Sequence, residues 1–312
     1  MTVLLVLIIN ALMGLTFSIV RLILDNYTDP IFLVGYRMTL AGIILLAWQF
    51  FSNKVGFSIK TKNDWWIFFK TTIFHVYICY IFEFWSQKYL LPAKIALLFN
   101  LTPFATAFFS YLILQKKQSF IKIVGLLIGF IGFLPIIFFD NNDDYNYQCL
   151  FGLSLPELAL LVAVFSSAYA WLIVEYLTIS RKYSIIFVNG FAMFWGGMMA
   201  LLTSFLVGNY GHFFGLQGFT NAWQPWPFVD FVPLTGWVLV LILFSNLIYY
   251  NVYAWLMSKY SPTFLAFSGL TIPFFAAIWE WLLFGITVSY IFWLSLLIIS
   301  LGLAIYYYQE TK

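Results

Sequence analysis

Long apolar runs separated by short polar breaks fill the chain, falling at about residues 3–24, 31–51, 65–87, 92–114, 120–139, 156–178, 184–207, 235–258, 263–285 and 288–307. Each run is close to the roughly 20 residues that, rising 1.5 Å apiece, cross a hydrocarbon core of about 30 Å. The runs are continuously apolar, whereas barrel strands would alternate polar and apolar residues over about ten positions. The pattern predicts ten transmembrane helices and an all-α integral membrane protein.

Composition agrees and narrows the function classes. The 312 residues are 63% hydrophobic and 9% charged, where a soluble domain carries roughly 25% charged residues to keep its surface wet. A water-soluble fold is excluded. The net charge of +3 comes from 15 Lys and Arg scattered through the loops, so there is no basic stripe for nucleic acid. Cys79 and Cys149 show neither metal-ligand spacing nor a disulfide framework. No Gly-rich phosphate-binding loop is present, and no cofactor is expected. The first run lacks a basic leader and a small-residue cleavage site, so it reads as a retained helix.

Cations in short loops set the expected orientation. Lys54, Lys60, Lys62, Lys116, Lys117, Lys122, Arg181, Lys182 and Lys259 all fall on one side of a ten-helix threading, which makes both termini cytoplasmic. The acidic stretch 140–149 and the long segment 208–234 lie opposite and hold no Lys or Arg. Trp223 and Trp226 suit that segment to the outer interface as an aromatic anchor. Lys88 and Lys94 fall on the wrong side.

Sliding the chain on itself by 170 residues superposes Tyr80 on Tyr250, Trp85 on Trp255, Pro92 on Pro262, Pro103 on Pro273 and Phe104 on Phe274 without a gap. Two five-helix repeats are expected, residues 1–140 and 156–312, joined by a polar linker at 141–155. Five is odd, so the second repeat enters the membrane reversed. Inverted repeats can exchange one asymmetric packing between halves, which is the geometry of alternating access.

The stretches TPFATAFFSYLILQKKQSFIKIVGLLIGFIGF and IPFFAAIWEWLLFGITVSYIFWLSLLIISLGL resemble the signature of EamA-type permeases of the drug/metabolite transporter superfamily. In that signature a proline opens a small-residue helix, a Gly-Glu pair ends it and a glycine-bearing helix follows. ALMGLTFSIV and GYRMTLAGIILL resemble the family's first two helices, with Arg37 at the family's arginine. The family's glutamate is replaced by Lys116 and Ile286, the tryptophan before Gly14 is Met13, and Arg37 has no clear counterpart in the seventh helix. The resemblance implies a ten-helix permease, in many relatives an exporter of amino acids or other metabolites.

Ionisable groups inside a bilayer need a partner, water or an escape to the interface. Lys70 and Glu175 lie near helix ends and can snorkel. Arg37 and Glu83 fall at similar depth and could pair, with Glu280 a rival partner for Arg37. His75, mid-helix, could exchange a proton near neutral pH, or pack as a hydrogen-bonded neutral ring. Asn100, Asn246, Ser268 and Thr271 fall near the bilayer centre, where a repeat interface places a solute. Pro103 and Pro273 free carbonyls one turn earlier. Tyr80, Tyr250, Tyr253, Trp85 and Trp255 could line a pocket for an aromatic or amphipathic solute, although most rings in so aromatic a chain serve packing.

These readings favour a secondary transporter of a small metabolite, such as an amino acid or related solute, in a bacterial inner membrane. Its partners are the solute, the bilayer and either a coupled proton or none; a homodimer is compatible. The alternatives are a membrane-embedded enzyme acting on a lipid-linked substrate and a non-transporting sensor or assembly protein. The enzyme would need an acidic or histidine cluster, and Asp143–Asp144 is the only close acidic pair.

Overall fold

A computed structural model describes residues 2–52, 59–114, 119–139, 153–210, 231–249, 252, 256 and 268–308. Their helices are α1 (Thr2–Asn26), α2 (Pro30–Phe51), α3 (Lys62–Gln87), α4 in two pieces, α4a (Pro92–Phe99) and α4b (Thr102–Leu114), and α5 (Phe120–Phe139). The second set is α6 (Leu155–Ser180), α7 (Ile185–Tyr210), α8 (Phe231–Tyr249), α9 (Thr271–Phe284) and α10 (Tyr290–Tyr308). Seven of the described helices are long and apolar enough to cross a membrane, and α5, α9 and α10 add shorter apolar stretches. The protein is an all-α membrane protein. Large apolar side chains such as Trp48, Phe51, Phe120 and Leu127 stand exposed, as a surface solvated by lipid requires.

Capping explains where the helices begin. Asp29 accepts from the Phe32 amide with Pro30 in the first turn of α2, and Ser154 and Glu157 form a reciprocal capping box at the start of α6, each satisfying amides that the helix itself leaves open. Thr61 accepts from the Asp64 amide, so α3 starts one polar turn before the apolar run at residue 65. Likewise α7 extends to Tyr210 and α8 starts at Phe231, both inside the stretch expected as loop. The middle of that stretch, with Trp223 and Trp226, lies outside the described residues, as do the linker at 141–152 and Cys149.

Many of the helix pairs exchange when five is added to or subtracted from each helix number: α2 on α7, α5 on α10, α4a on α9, α1 on α9 and α4b on α6, α3 on α6 and α1 on α8, α3 on α7 and α2 on α8. Other packed pairs, such as α2 on α3 and α1 on α4a, fall outside this group. Backbone contact is closest along two antiparallel seams. In one, Gly35, Thr39 and Gly42 of α2 meet Leu201, Gly197 and Phe194 of α7; in the other, Gly125, Gly129 and Gly132 of α5 meet Tyr306, Gly302 and Ile299 of α10. Without a hydrophobic force between helices in lipid, such close van der Waals packing is a main source of association.

A Cβ at Gly302 would collide with the backbone of Gly129. Gly302→Ala is therefore expected to destabilise the protein by about 1–3 kcal/mol through overpacking, read as a lowered melting temperature in detergent. Gly236→Ala, which meets nothing within 4 Å, should not lower the melt.

Candidate functional site

Two of the helices carry a widened segment. A π-helical segment occupies Thr72–Ile78 of α3 and another Ile242–Tyr249 of α8, and their first residues are 242 − 72 = 170 apart, the offset of the sequence repeat. A third, Tyr176–Ser180, ends α6. Such insertions push side chains out of α-register and are frequent at functional sites. In α3 the wide turn carries His75; in α8 it carries Ser245 and Asn246. The Phe74 carbonyl, within the α3 segment, accepts from the Ser166 hydroxyl of α6 at 2.8 Å.

Arg37 of α2 is buried, and its Nη2 donates to Ser245 Oγ at 2.6 Å and to Asn246 Oδ1 at 3.3 Å. A helix of the first half is thus tied to the wide turn of the second. The Asn246 amide also donates to the Met193 sulfur of α7 at 3.6 Å. The guanidinium carbon lies 5.9 Å from the Tyr80 ring centre and 5.5 Å from that of Phe84. Glu83, on the same face of α3, accepts from Gln87 at 3.1 Å and lies within the electrostatic reach of Arg37. Arg37, Tyr80, Glu83 and Asn246 of the expected site residues are therefore brought together. Glu280 sits elsewhere: its carboxylate accepts from the Ala93 amide at 3.1 Å, at the first turn of α4a, where a negative charge also meets the positive end of the helix dipole.

His75 is buried edge-on to Trp171 of α6, ring centres 5.1 Å apart, and neither ring nitrogen has a hydrogen-bond partner among the described residues. Its packing is not that of a hydrogen-bonded histidine.

Helix α4 breaks at Asn100 and Leu101, and the turn at Leu270 precedes α9 at the matching place. Pro103 cannot donate to the Phe99 carbonyl, and the Thr102 hydroxyl takes that acceptor at 2.6 Å. Thr271 does the same for the Ser268 carbonyl at 2.6 Å, and the Asn10 amide of α1 bridges Ser268 O at 2.7 Å and Thr271 Oγ1 at 3.0 Å. The carbonyl that Pro103 frees therefore takes a donor from within the turn. Pro273 lies buried in the first turn of α9. Tyr250, Tyr253 and Trp255 lie outside the described residues.

The wrong-side lysines have local explanations. Lys94 is not a loop residue: it lies on α4a, buried, with its Nζ 3.0 Å from Glu157 Oε1 of α6. The other oxygen of Glu157 accepts from the Ser154 amide and hydroxyl, both at 2.7 Å. Lys88 is half-buried, and burial pushes its ammonium below the ordinary value while the Asp29 and Asp25 carboxylates pull the other way. At the opposite end Asp64 lies 3.5 Å from the Arg181 guanidinium and accepts from the Tyr183 hydroxyl at 2.9 Å, and the Lys60 amide donates to that hydroxyl oxygen at 2.7 Å. The loops before α3 and after α6 therefore meet on one side. Lys70 sits over the Trp66 ring and Glu175 is exposed, as snorkelling groups would be.

Four participants were not expected from the sequence: Asn10, Ser245, Phe84 and the Lys94–Glu157 pair. Asn10 could have been found as a polar residue well inside the first apolar run. Glu157 could have been read as a capping box, three residues after Ser154. Phe84 carried no signal among so many rings.

The sequence profile of the EamA-like transporter family matches residues 1–138 and again 154–308. An S-adenosylmethionine/S-adenosylhomocysteine transporter of Chlamydia muridarum is 31% identical over 82% of this chain and 76% of its own length. A transporter of the same description from Chlamydia trachomatis is 29% identical over 82% of this chain and 74% of its own. A solved crystal structure superposes with a TM-score of 0.60 over 96% of this chain and 94% of that one, at 15% identity, a likeness of fold.

Removing one partner of a buried ion pair strands the other charge, at a cost of about 3–5 kcal/mol. Lys94→Met should lower stability by that order. Adding Glu157→Gln, which keeps the capping acceptor, should restore most of it, as read from thermal unfolding of both variants in detergent.

Proposed function

Since the chain belongs to the EamA-like transporter family, and so is a membrane carrier of small metabolites and not an enzyme, we propose that its solute is an adenosyl amino acid of the S-adenosylmethionine and S-adenosylhomocysteine kind. The named relatives support the choice. The observation that carries it is the buried Arg37, held by Ser245 and Asn246 and flanked by Tyr80, Phe84 and Glu83. An amino-acid tail offers a carboxylate for the guanidinium fork and an ammonium for the Glu83 carboxylate. Bringing both charges at once, it adds no net charge to a dry site. The amino acid expected from the sequence becomes, in this reading, the tail of a larger solute.

The reading includes two inverted repeats, residues 1–140 and 156–312, that rock about the shared polar centre to expose it alternately. The exchange relation among many of the helix pairs and the double match of the family profile support that division. Both termini face the cytoplasm of a bacterial inner membrane, supported by the loop cations once Lys94 is counted as a buried pair.

The test is exchange in proteoliposomes preloaded with S-adenosylhomocysteine and offered labelled S-adenosylmethionine. A hydrogen bond to a charged group contributes about 1.5–3 kcal/mol, so Arg37→Ala should weaken apparent affinity by about 10- to 100-fold while the protein still inserts. Unchanged exchange by that variant would remove Arg37 from the site.

A further inference from the structure

Tyr80 and Phe84 stand one turn apart on α3, ring centres 5.9 Å apart and nearly perpendicular, and the Arg37 guanidinium lies within 6 Å of both. Glu83 sits between them in sequence, buried, with the Arg37 charge acting on it. Two ring faces and a carboxylate thus converge on one cation in a dry part of the protein, where attraction of a cation to an aromatic face is strongest. From the opposite side Ser245 and Asn246 of α8 hold the same guanidinium by two hydrogen bonds. Arg37 therefore fills the place on the rings in this structure.

The two solutes of the functional reading differ by one methyl group and one positive charge at sulfur. Shape alone discriminates weakly between them, since an added methyl in an apolar site changes affinity modestly. Charge can discriminate better. In either solute two methylene groups separate the sulfur from the α-carbon, so a molecule whose carboxylate engages Arg37 carries its sulfur within reach of rings that already stand against that guanidinium.

Resting on that reading of the solute, we propose that Tyr80 and Phe84 form a cation seat occupied by Arg37 in the empty carrier and by the sulfonium of the solute in the loaded one, so that these two rings set the preference for sulfonium over thioether. As the carboxylate draws the guanidinium off the rings, the sulfonium takes its position. In the loaded carrier Glu83 faces the tail ammonium with the sulfonium beside it, so no carboxylate is stranded when the guanidinium leaves. A thioether arriving at the same seat leaves the rings without a cation.

The test is equilibrium binding of S-adenosylmethionine and S-adenosylhomocysteine to the detergent-purified full chain. Tyr80→Leu and Phe84→Leu should each weaken binding of the sulfonium by about tenfold while changing the thioether by less than about twofold. Tyr80→Phe, which keeps the ring, should retain the wild-type ratio. Thioether binding reports folding in every variant, and the half-buried Tyr80 carries the test if Phe84→Leu does not fold. An unchanged ratio in leucine variants that bind both ligands overturns the seat. Failure of the wild-type chain to bind either ligand overturns the reading of the solute instead.

Discussion

Hydrocarbon offers no hydrogen bonds, and several departures from a straight α-helix among the described residues are shaped by that fact. Where Pro103 removes a donor, the neighbouring Thr102 hydroxyl supplies one. Where α3 widens into a π-turn, Ser166 reaches across from α6 to the Phe74 carbonyl. Where the chain turns before α9, Asn10 comes from α1 to hold Ser268 and Thr271. Irregular backbone survives only with such partners, so the irregularities mark the places where helices are bound to one another.

The fold was largely legible because the constraint that governs it is one-dimensional. A span must be apolar for about 20 residues, and each of the ten runs holds a helix among the described residues. Boundaries slipped in places: the Thr61 cap starts α3 before its apolar run, and α7 continues to Tyr210. The 170-residue offset was also legible, since Pro103 and Pro273 both stand in the first turn of a helix. The π-turns of α3 and α8 obeyed that offset without any residue that announces them. Winding is fixed by packing against α6, α7, α1 and α2, and a sequence read alone does not contain those neighbours.

The candidate site was legible by residue type and not by partner. Arg37, Glu83, His75 and Asn246 stood out because charge and amide groups are scarce in such a chain. Their assignments depended on distances across elements far apart in sequence. Arg37 binds Ser245 and Asn246, more than 200 positions away, and Glu280 turned to the amide end of α4a. Lys94 shows the reverse failure. Counted as a loop cation it weakened the orientation; buried against Glu157, it is an interior group and carries no topological information.

The seam between α5 and α10 gives one helix two opposite faces. On one side Gly125, Gly129 and Gly132 admit the partner backbone so closely that even one added carbon has no room. On the other, Leu127, Phe130 and Ile131 stand exposed, where any apolar side chain of any shape dissolves equally well in lipid. Substitutions drifting in over generations are thus filtered by direction: the outward face is free to change its identities, and the inward face is held at the smallest residue there is.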